Sequence, residues 1–179
     1  MLTCRHATRR DAARLFEMVR ELAAHEGSLA AVQTDLERFC RDGFGPQPRF
    51  AAVLAELDGQ AAGYVSYTRV YAVWRGATTL AIDDVYVRTG ARGQGIGEAM
   101  LRWLRHFAAQ TGADRLRWEV QPHNAGAIRF YERLGARVVP KGVCAWELTP
   151  APAQRLVPAP AAAAPAAAPC PSSSWAARR

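Results

Sequence analysis

Apolar and polar positions along the chain change period several times between Met1 and Leu148, and each change predicts an element. Residues 3–9 read as a short strand. Asp11 can cap a helix whose Leu15, Phe16, Val19, Leu22 and Ala23 form an apolar stripe, ending near His25-Glu26-Gly27. Thr34-Asp-Leu-Glu37 fits a capping box for a second helix that stops near Asp42-Gly43. Phe44 to Pro48 is a loop. Phe50–Leu57 and Ala61–Thr68 flank Asp58-Gly59, a hairpin signal. Tyr71–Gly76 is a bend carrying Trp74, and Thr78–Val87 is a strand.

A glycine-rich stretch follows, then a helix from about Glu98 to Gln110 with Met100, Leu101, Leu104 and Phe107 on one face. Thr111-Gly112 ends it. Arg115–Val120 is a further strand, and Pro122-His123-Asn124 turns into a helix over Ala125–Leu134 closed by Gly135. Ala136–Val139 and Val143–Leu148 read as a last antiparallel pair. The order β-α-α-β-β-β-α-β-α-β-β implies α/β architecture: a mixed, mostly antiparallel sheet flanked by helices. From Pro150 onward alanine and proline dominate; the residues divide into a domain over 1–149 and a tail over 150–179 that is expected to be disordered.

The stretch Arg92-Gly93-Gln94-Gly95-Ile96-Gly97 leaves a strand and opens a helix. Glycines let main chain approach a ligand, and the unpaired N–H groups of a first helical turn attract an anion, aided by the helix dipole. A Walker loop needs Gly-Lys-Ser/Thr, but Gly97 is followed by Glu98. A dinucleotide fingerprint needs G-x-G-x-x-G, but the spacing here is G-x-G-x-G. A glycine turn without a ligand is the plainer alternative.

The net charge of +7 falls to about +4 once the three arginines and no acids of the last 30 residues are set aside. This suits a polyanionic ligand. Nucleic acid is disfavoured, since the arginines are scattered and no aromatic-basic stripe appears. Cys4, Cys40, Cys144 and Cys170 have no metal-like or disulfide spacing, and His6, His106 and His123 lack ligand partners, so no metal is expected. No apolar run is long enough to span a bilayer and the first residues lack a signal-peptide core, which predicts a cytoplasmic protein with reduced thiols.

The Arg-Gly-x-Gly-Ile-Gly loop after a strand resembles the coenzyme A pyrophosphate loop of the GNAT N-acetyltransferase superfamily. The resemblance extends over residues 4–148. Leu116 to Asn124 followed by Ala127-Ile-Arg-Phe-Tyr-Glu-Arg-Leu-Gly-Ala136 looks like the superfamily's second half. Arg20-Glu-Leu-Ala-Ala-His-Glu26, Asp42-Gly-Phe-Gly45 and Ile82-Asp-Asp-Val-Tyr-Val87 resemble the diamine (spermidine/spermine) and thialysine acetyltransferase branch.

The resemblance implies acetyl-coenzyme A as donor, a small-molecule amine as acceptor and a homodimer. It places the donor's pantetheine arm along Val85, Tyr86 and Val87. Its pyrophosphate falls at Arg92, Gly93, Gln94, Gly95, Ile96, Gly97 and Glu98, and a second contact at Asn124, Ala125, Gly126 and Ala127. Arg92 reaches a phosphate or is solvated, and Asn124 is equally a plain N-cap.

Acetyl transfer to an amine needs a neutral nitrogen. An alkylammonium of pKa about 10.4 is neutral in about one part in 2,500 at pH 7, a handicap of roughly 4.6 kcal/mol. A base must take that proton, and an acid should protonate the departing thiolate. By resemblance Tyr131 is the acid and Asp83 the base; their alternatives are a core aromatic and an acid at a strand bulge. An Asp stands at position 83 where the branch carries Glu, so a water relay or simple attraction of the cation are further roles for it. His25, Glu26, Trp74, Asp83, Arg117, Trp118 and Glu119 match acceptor contacts. Where polyamine enzymes carry more acids, this chain has Leu29-Ala30-Ala31 and Ala72-Val73, which favours a small amine over spermine. A coenzyme A-binding sensor without catalysis, or an enzyme for a protein or aminoglycoside amine, are the alternatives.

Overall fold

The structure is a computed structural model and describes residues 1–139. Five strands, β1 (Leu2–His6), β2 (Ala51–Leu57), β3 (Gln60–Ala72), β4 (Ala77–Val87) and β5 (Ala113–Arg117), form one sheet in sequence order. The first four run antiparallel and β5 is parallel to β4. Four helices accompany them: α1 (Ala12–His25), α2 (Leu36–Phe44), α3 (Ile96–Gln110) and α4 (Ala125–Arg133). The mixed, mostly antiparallel α/β architecture is the expected one.

The sheet divides the core in two. Ile96, Met100, Leu101, Leu104 and Ala108 of α3 pack against Val53, Ala55, Val65, Tyr67, Leu80 and Ile82. On the opposite face Leu15 and Met18 of α1 meet Ala52, Leu54, Tyr64 and Tyr86. Met18 therefore joins the buried stripe at helical spacing, while Phe16 turns to Phe39 of α2, with ring centroids 5.4 Å apart.

Several boundaries differ from the sequence reading, each for a local reason. β1 stops at His6, because Thr8 and Asp11 form a capping box around a short 3-10 turn over Arg9–Asp11. Asp11 is not a simple cap. Its carboxylate, 1% exposed, accepts from Arg5 (2.8 and 3.0 Å), from Thr8 N and Oγ1 (2.7 and 2.9 Å) and from Arg14 Nε (2.9 Å). Both arginines also reach Glu56 of β2, so β1, α1 and β2 are tied at one point. Asp35, not Thr34, caps α2, accepting from Arg38 N at 2.7 Å.

Asp58 and Gly59 both take positive φ, 49° and 80°, as a type I′ hairpin turn requires. β3 continues to Ala72, so the expected bend shrinks to a 3-10 turn over Val73–Arg75. α3 begins two residues early, at Ile96. β5 starts at Ala113 and ends at Arg117, so Trp118–Val120 lie outside the sheet. Ala136–Val139 form no strand. Their expected partner Val143–Leu148, the 149/150 boundary and the tail lie outside the described residues.

The Arg5 guanidinium, with the Thr8 and Arg14 donors, holds the Asp11 carboxyl far below the usual carboxylate range despite its burial. Such a depressed group stabilises the fold fully above its unfolded pKa of about 3.9 and progressively less as pH falls below it. Asp11→Asn is expected to lower stability by about 2–4 kcal/mol at pH 7. The gap to the parent protein should narrow at pH 3. Urea denaturation at both pH values measures this; an equal gap at both would place the stabilisation elsewhere.

Candidate active site

β4 carries an irregularity that organises the site. Val65 pairs with Val85 and Tyr67 with Ile82, so Ser66 alone stands opposite both Asp83 and Asp84. That is a β-bulge with one extra residue in β4. Side chains alternate along a strand, and the extra residue resets the alternation. Leu80 and Ile82 face the α3 core before the bulge, and Val85 and Val87 face it after. Tyr86 turns to the α1 side.

The two acids are thereby placed differently. Asp83 is exposed. Asp84 is half-buried, and its Oδ2 accepts from Tyr64 OH (3.0 Å) and Ser66 Oγ (3.1 Å), while its own N–H donates to Ser66 Oγ (3.1 Å). Burial and the neighbouring Asp83 charge push the Asp84 carboxyl up, and the Tyr64 and Ser66 donors oppose them. Glu26, which closes α1, adds a smaller upward push. The structure thus brings Glu26, Asp83 and Asp84 into one acidic neighbourhood, with His25 exposed beside Glu26.

The other edge of β4 is open over the same stretch. Pairing with β5 ends at Ala81–Arg117, so Ile82–Val87 have no partner there among the described residues. β5 ends at Arg117 while β4 runs on to Val87. Arg117 and, just beyond it, Glu119 are exposed and touch each other (3.4 Å). Trp118 meets Tyr131 of α4 edge to face, centroids 5.1 Å apart. Tyr131 is half-buried against the α3-side core, and burial alone pushes its phenol up.

The glycine loop closes the far end of β4. Arg92 Nε donates to Val87 O at 3.1 Å, and Gly93, Gln94 and Gly95 are exposed. Gly95 is the N-cap of α3 at φ 75° and has no side chain with which to cap it. Ala99 N–H bonds back to Gly95 O, which leaves the N–H groups of Ile96, Gly97 and Glu98 ahead of the helical ladder. The Ile96 side chain is buried in the core, so only its main chain faces the loop. Glu98 pairs with Arg102 one turn on, at 2.7 Å. A Cβ on Gly97 would lie 3.3 Å from Phe130 and 3.8 Å from Val87, so bare backbone lets α4 seat against the loop. Asn124 Oδ1 accepts from Ala127 N at 3.0 Å and caps α4; Ala125 and Gly126 are exposed beside it.

One expected residue stands apart. Trp74 is fully exposed in the turn between β3 and β4. Six residues separate Ala77 from Asp83, about 20 Å of strand, so Trp74 and Asp83 do not share a site within one chain. A groove between α1 and α2, lined by Phe16, Arg20, Leu29, Val32, Asp35 and Leu36, shares no residue with the bulge. Tyr64 and Ser66 escape a motif reading. Their signal was the phase break between Leu80/Ile82 and Val85/Val87, opposite the two hydroxyls of Gly63-Tyr-Val-Ser66. Among the described residues no cluster of His, Cys, Asp or Glu suits a metal, and no helix is long and apolar enough to cross a membrane.

A parallel strand pair whose ladder stops at Ala81–Arg117, a bulge and an uncapped glycine-loop helix are joined in one chain whose residues 12–136 match the acetyltransferase (GNAT) family model. The chain belongs to that family. Enzymes of the family use acetyl-coenzyme A. This acetyltransferase is 33% identical over 141 residues to a thialysine N-epsilon-acetyltransferase of Sus scrofa, covering 74% of this chain and 82% of that protein. It is 41% identical to a streptothricin acetyltransferase of Streptomyces lavendulae over 86 residues, 48% of this chain and 42% of that protein. Among solved structures, an aminoglycoside acetyltransferase from an uncultured soil metagenomic sample shares the fold with a TM-score of 0.71 at 17% identity, over 83% of this chain and 96% of that one.

Gly95 gives the sharpest test of the loop. At φ 75° an alanine costs about 1–2 kcal/mol of backbone strain. Gly95→Ala is therefore expected to weaken coenzyme A binding about tenfold by calorimetry, with the circular dichroism spectrum unchanged.

Proposed function

We propose that this acetyltransferase moves the acetyl group of acetyl-coenzyme A to a primary amine of a small molecule, a thialysine-like amino acid or short diamine, by direct attack. The observation that carries the reading is the acid pair at the bulge, set on the open edge of β4 and joined by the Glu26 charge. A cationic acceptor is drawn to such a place and an anionic one repelled. The names of the thialysine and streptothricin relatives agree with it.

The described residues fit the donor. The free N–H groups at the start of α3, with the Arg92–Gly95 loop, would hold a pyrophosphate. The unpaired edge at Val85, Tyr86 and Val87 would pair with amide groups of the pantetheine arm as a strand does, and Asn124 to Ala127 would add a second contact. Acetyl-coenzyme A supplies an acyl group already activated as a thioester, so no protein nucleophile is required.

Glu26, His25, Arg117, Trp118 and Glu119 bind and orient the acceptor. Asp83 takes one proton from the ammonium, directly or through water, which frees the nitrogen lone pair to attack. Tyr131 gives its phenolic proton at the sulfur as the carbon–sulfur bond breaks, and the second proton, lost from the nitrogen as the amide forms, passes through water to restore the phenol. A phenol is protonated at neutral pH, as an acid must be, and burial pushes this one further up. A homodimer belongs to the reading, supported by the exposed apolar tip of Val70, Tyr71, Val73 and Trp74. So does a cytoplasmic setting, supported by the free thiols of Cys4 and Cys40.

The test is coenzyme A release, followed by thiol titration, with acetyl-coenzyme A and thialysine, lysine, putrescine, spermidine, spermine, an aminoglycoside and a peptide. Thialysine or a short diamine should be preferred. Tyr131→Phe is expected to lower kcat about 10²-fold, and by the same factor from pH 7 to 9. Asp83→Ala should cost at least about tenfold. Best turnover with spermine would overturn the small-amine reading. Tight coenzyme A binding with no turnover would mean a non-catalytic binding module.

A further inference from the structure

Tyr64 and Ser66 belong to no element of the reaction just described, yet both aim at its acid pair. Tyr64 is 1% exposed, and its hydroxyl is spent on Asp84. Ser66 both donates to the Asp84 carboxylate and accepts from the Asp84 N–H, so one side chain closes the gap that the bulge opens in the β3–β4 ladder. A bulge leaves a main-chain group without its ladder partner, and a buried unpaired N–H is costly. Here a serine replaces that partner.

We propose that Tyr64 and Ser66 are positioning residues of the acceptor site. Through Asp84 they pin the bulge in one register, so that Asp83 stands on the open edge of β4, and they keep a second negative charge behind it to attract the acceptor's ammonium. The inference rests on the amine-acetylating reading above.

The titratable groups that bear on Asp84 are Tyr64 from β3, Asp83 from its own strand and Glu26 from the end of α1. Desolvation, Asp83 and Glu26 all favour the neutral acid. The two hydroxyl donors favour the anion. Removing a donor moves the Asp84 titration to higher pH. The site then loses charge at acidic pH sooner than in the parent protein.

Carbon-13 titration of the Asp84 carboxyl tests the network without any substrate. Ser66→Ala and Tyr64→Phe are expected to raise its midpoint by about one pH unit, while Ser66→Thr, which keeps the hydroxyl, stays with the parent. The acidic limb of kcat/KM for thialysine should move with it, giving about tenfold lower kcat/KM for Ser66→Ala on that limb and near-parent values for Ser66→Thr. An Asp84 midpoint that is the same in all variants would overturn the network. A shifted midpoint with an unshifted kcat/KM limb would overturn the positioning role and leave a purely structural one. Should the parent acetylate no amine at all, the acceptor reading fails and the positioning role with it, while the carboxyl titration still decides whether the hydroxyls hold Asp84. Ser66→Ala and Ser66→Thr carry the result if Tyr64→Phe does not fold.

Discussion

A strand shows alternate residues to opposite faces, and β4 has to bury Leu80 and Ile82 on the α3 side, then Val85 and Val87 on the same side, with two acids between them. Strict alternation would put one of those apolar pairs on the wrong face. The extra residue at Asp83–Asp84 resolves the conflict, and the rest of the site follows from it. β3 uses the same device toward β2, where Ala62 is the surplus residue between the Ala55–Gly63 and Glu56–Ala61 pairs. The core on both faces is kept continuous at the expense of ladder regularity. One irregular point, at Ala62, stays buried and apolar, while the other carries Asp83 to the surface.

Charge is handled in two contrasting ways. At Asp11 a buried carboxylate is saturated by two guanidiniums and a capping turn, and it serves only to fasten β1, α1 and β2. Arg88, just past the end of β4, does similar work, gripping Glu17 and Glu21 of α1 and the Ala61 carbonyl of β3. At the bulge no arginine answers Asp84; only neutral hydroxyls do. Its carboxyl stays half-buried behind the exposed Asp83, with no cationic partner among the described residues. A carboxylate saturated by arginines and one held by neutral hydroxyls are distinguished by their partners, since both are partly or wholly withdrawn from water.

Much of this was legible in the residues. The hairpin at Asp58-Gly59, the helix after the glycine loop and the order of elements follow from turn chemistry and period, because these are local. The start of β5 was missed, since its extent is set by pairing with Thr78–Ala81 and not by its own apolar content. The Asp11 cluster was read as a plain cap because its partners, Arg5 and Glu56, are brought together only by the sheet. Tyr131 could be named from its motif, whereas its contact with Trp118 depends on where α4 is seated against Gly97. Trp74 matched a motif, yet the length of β4 takes it away from Asp83.

The unpaired edge of β4 and the uncapped start of α3 are both made of main chain. Main-chain N–H and C=O groups are present whatever residue carries them, so a surface built from them is blind to most substitutions. The acids at the end of α1 and in the bulge are side chains and change with a single codon. The main-chain surface and the acids therefore answer differently to substitution. The first is altered only by a residue that changes the backbone itself, as at Gly95 with its φ of 75°, whereas the second is altered by any replacement of an acid.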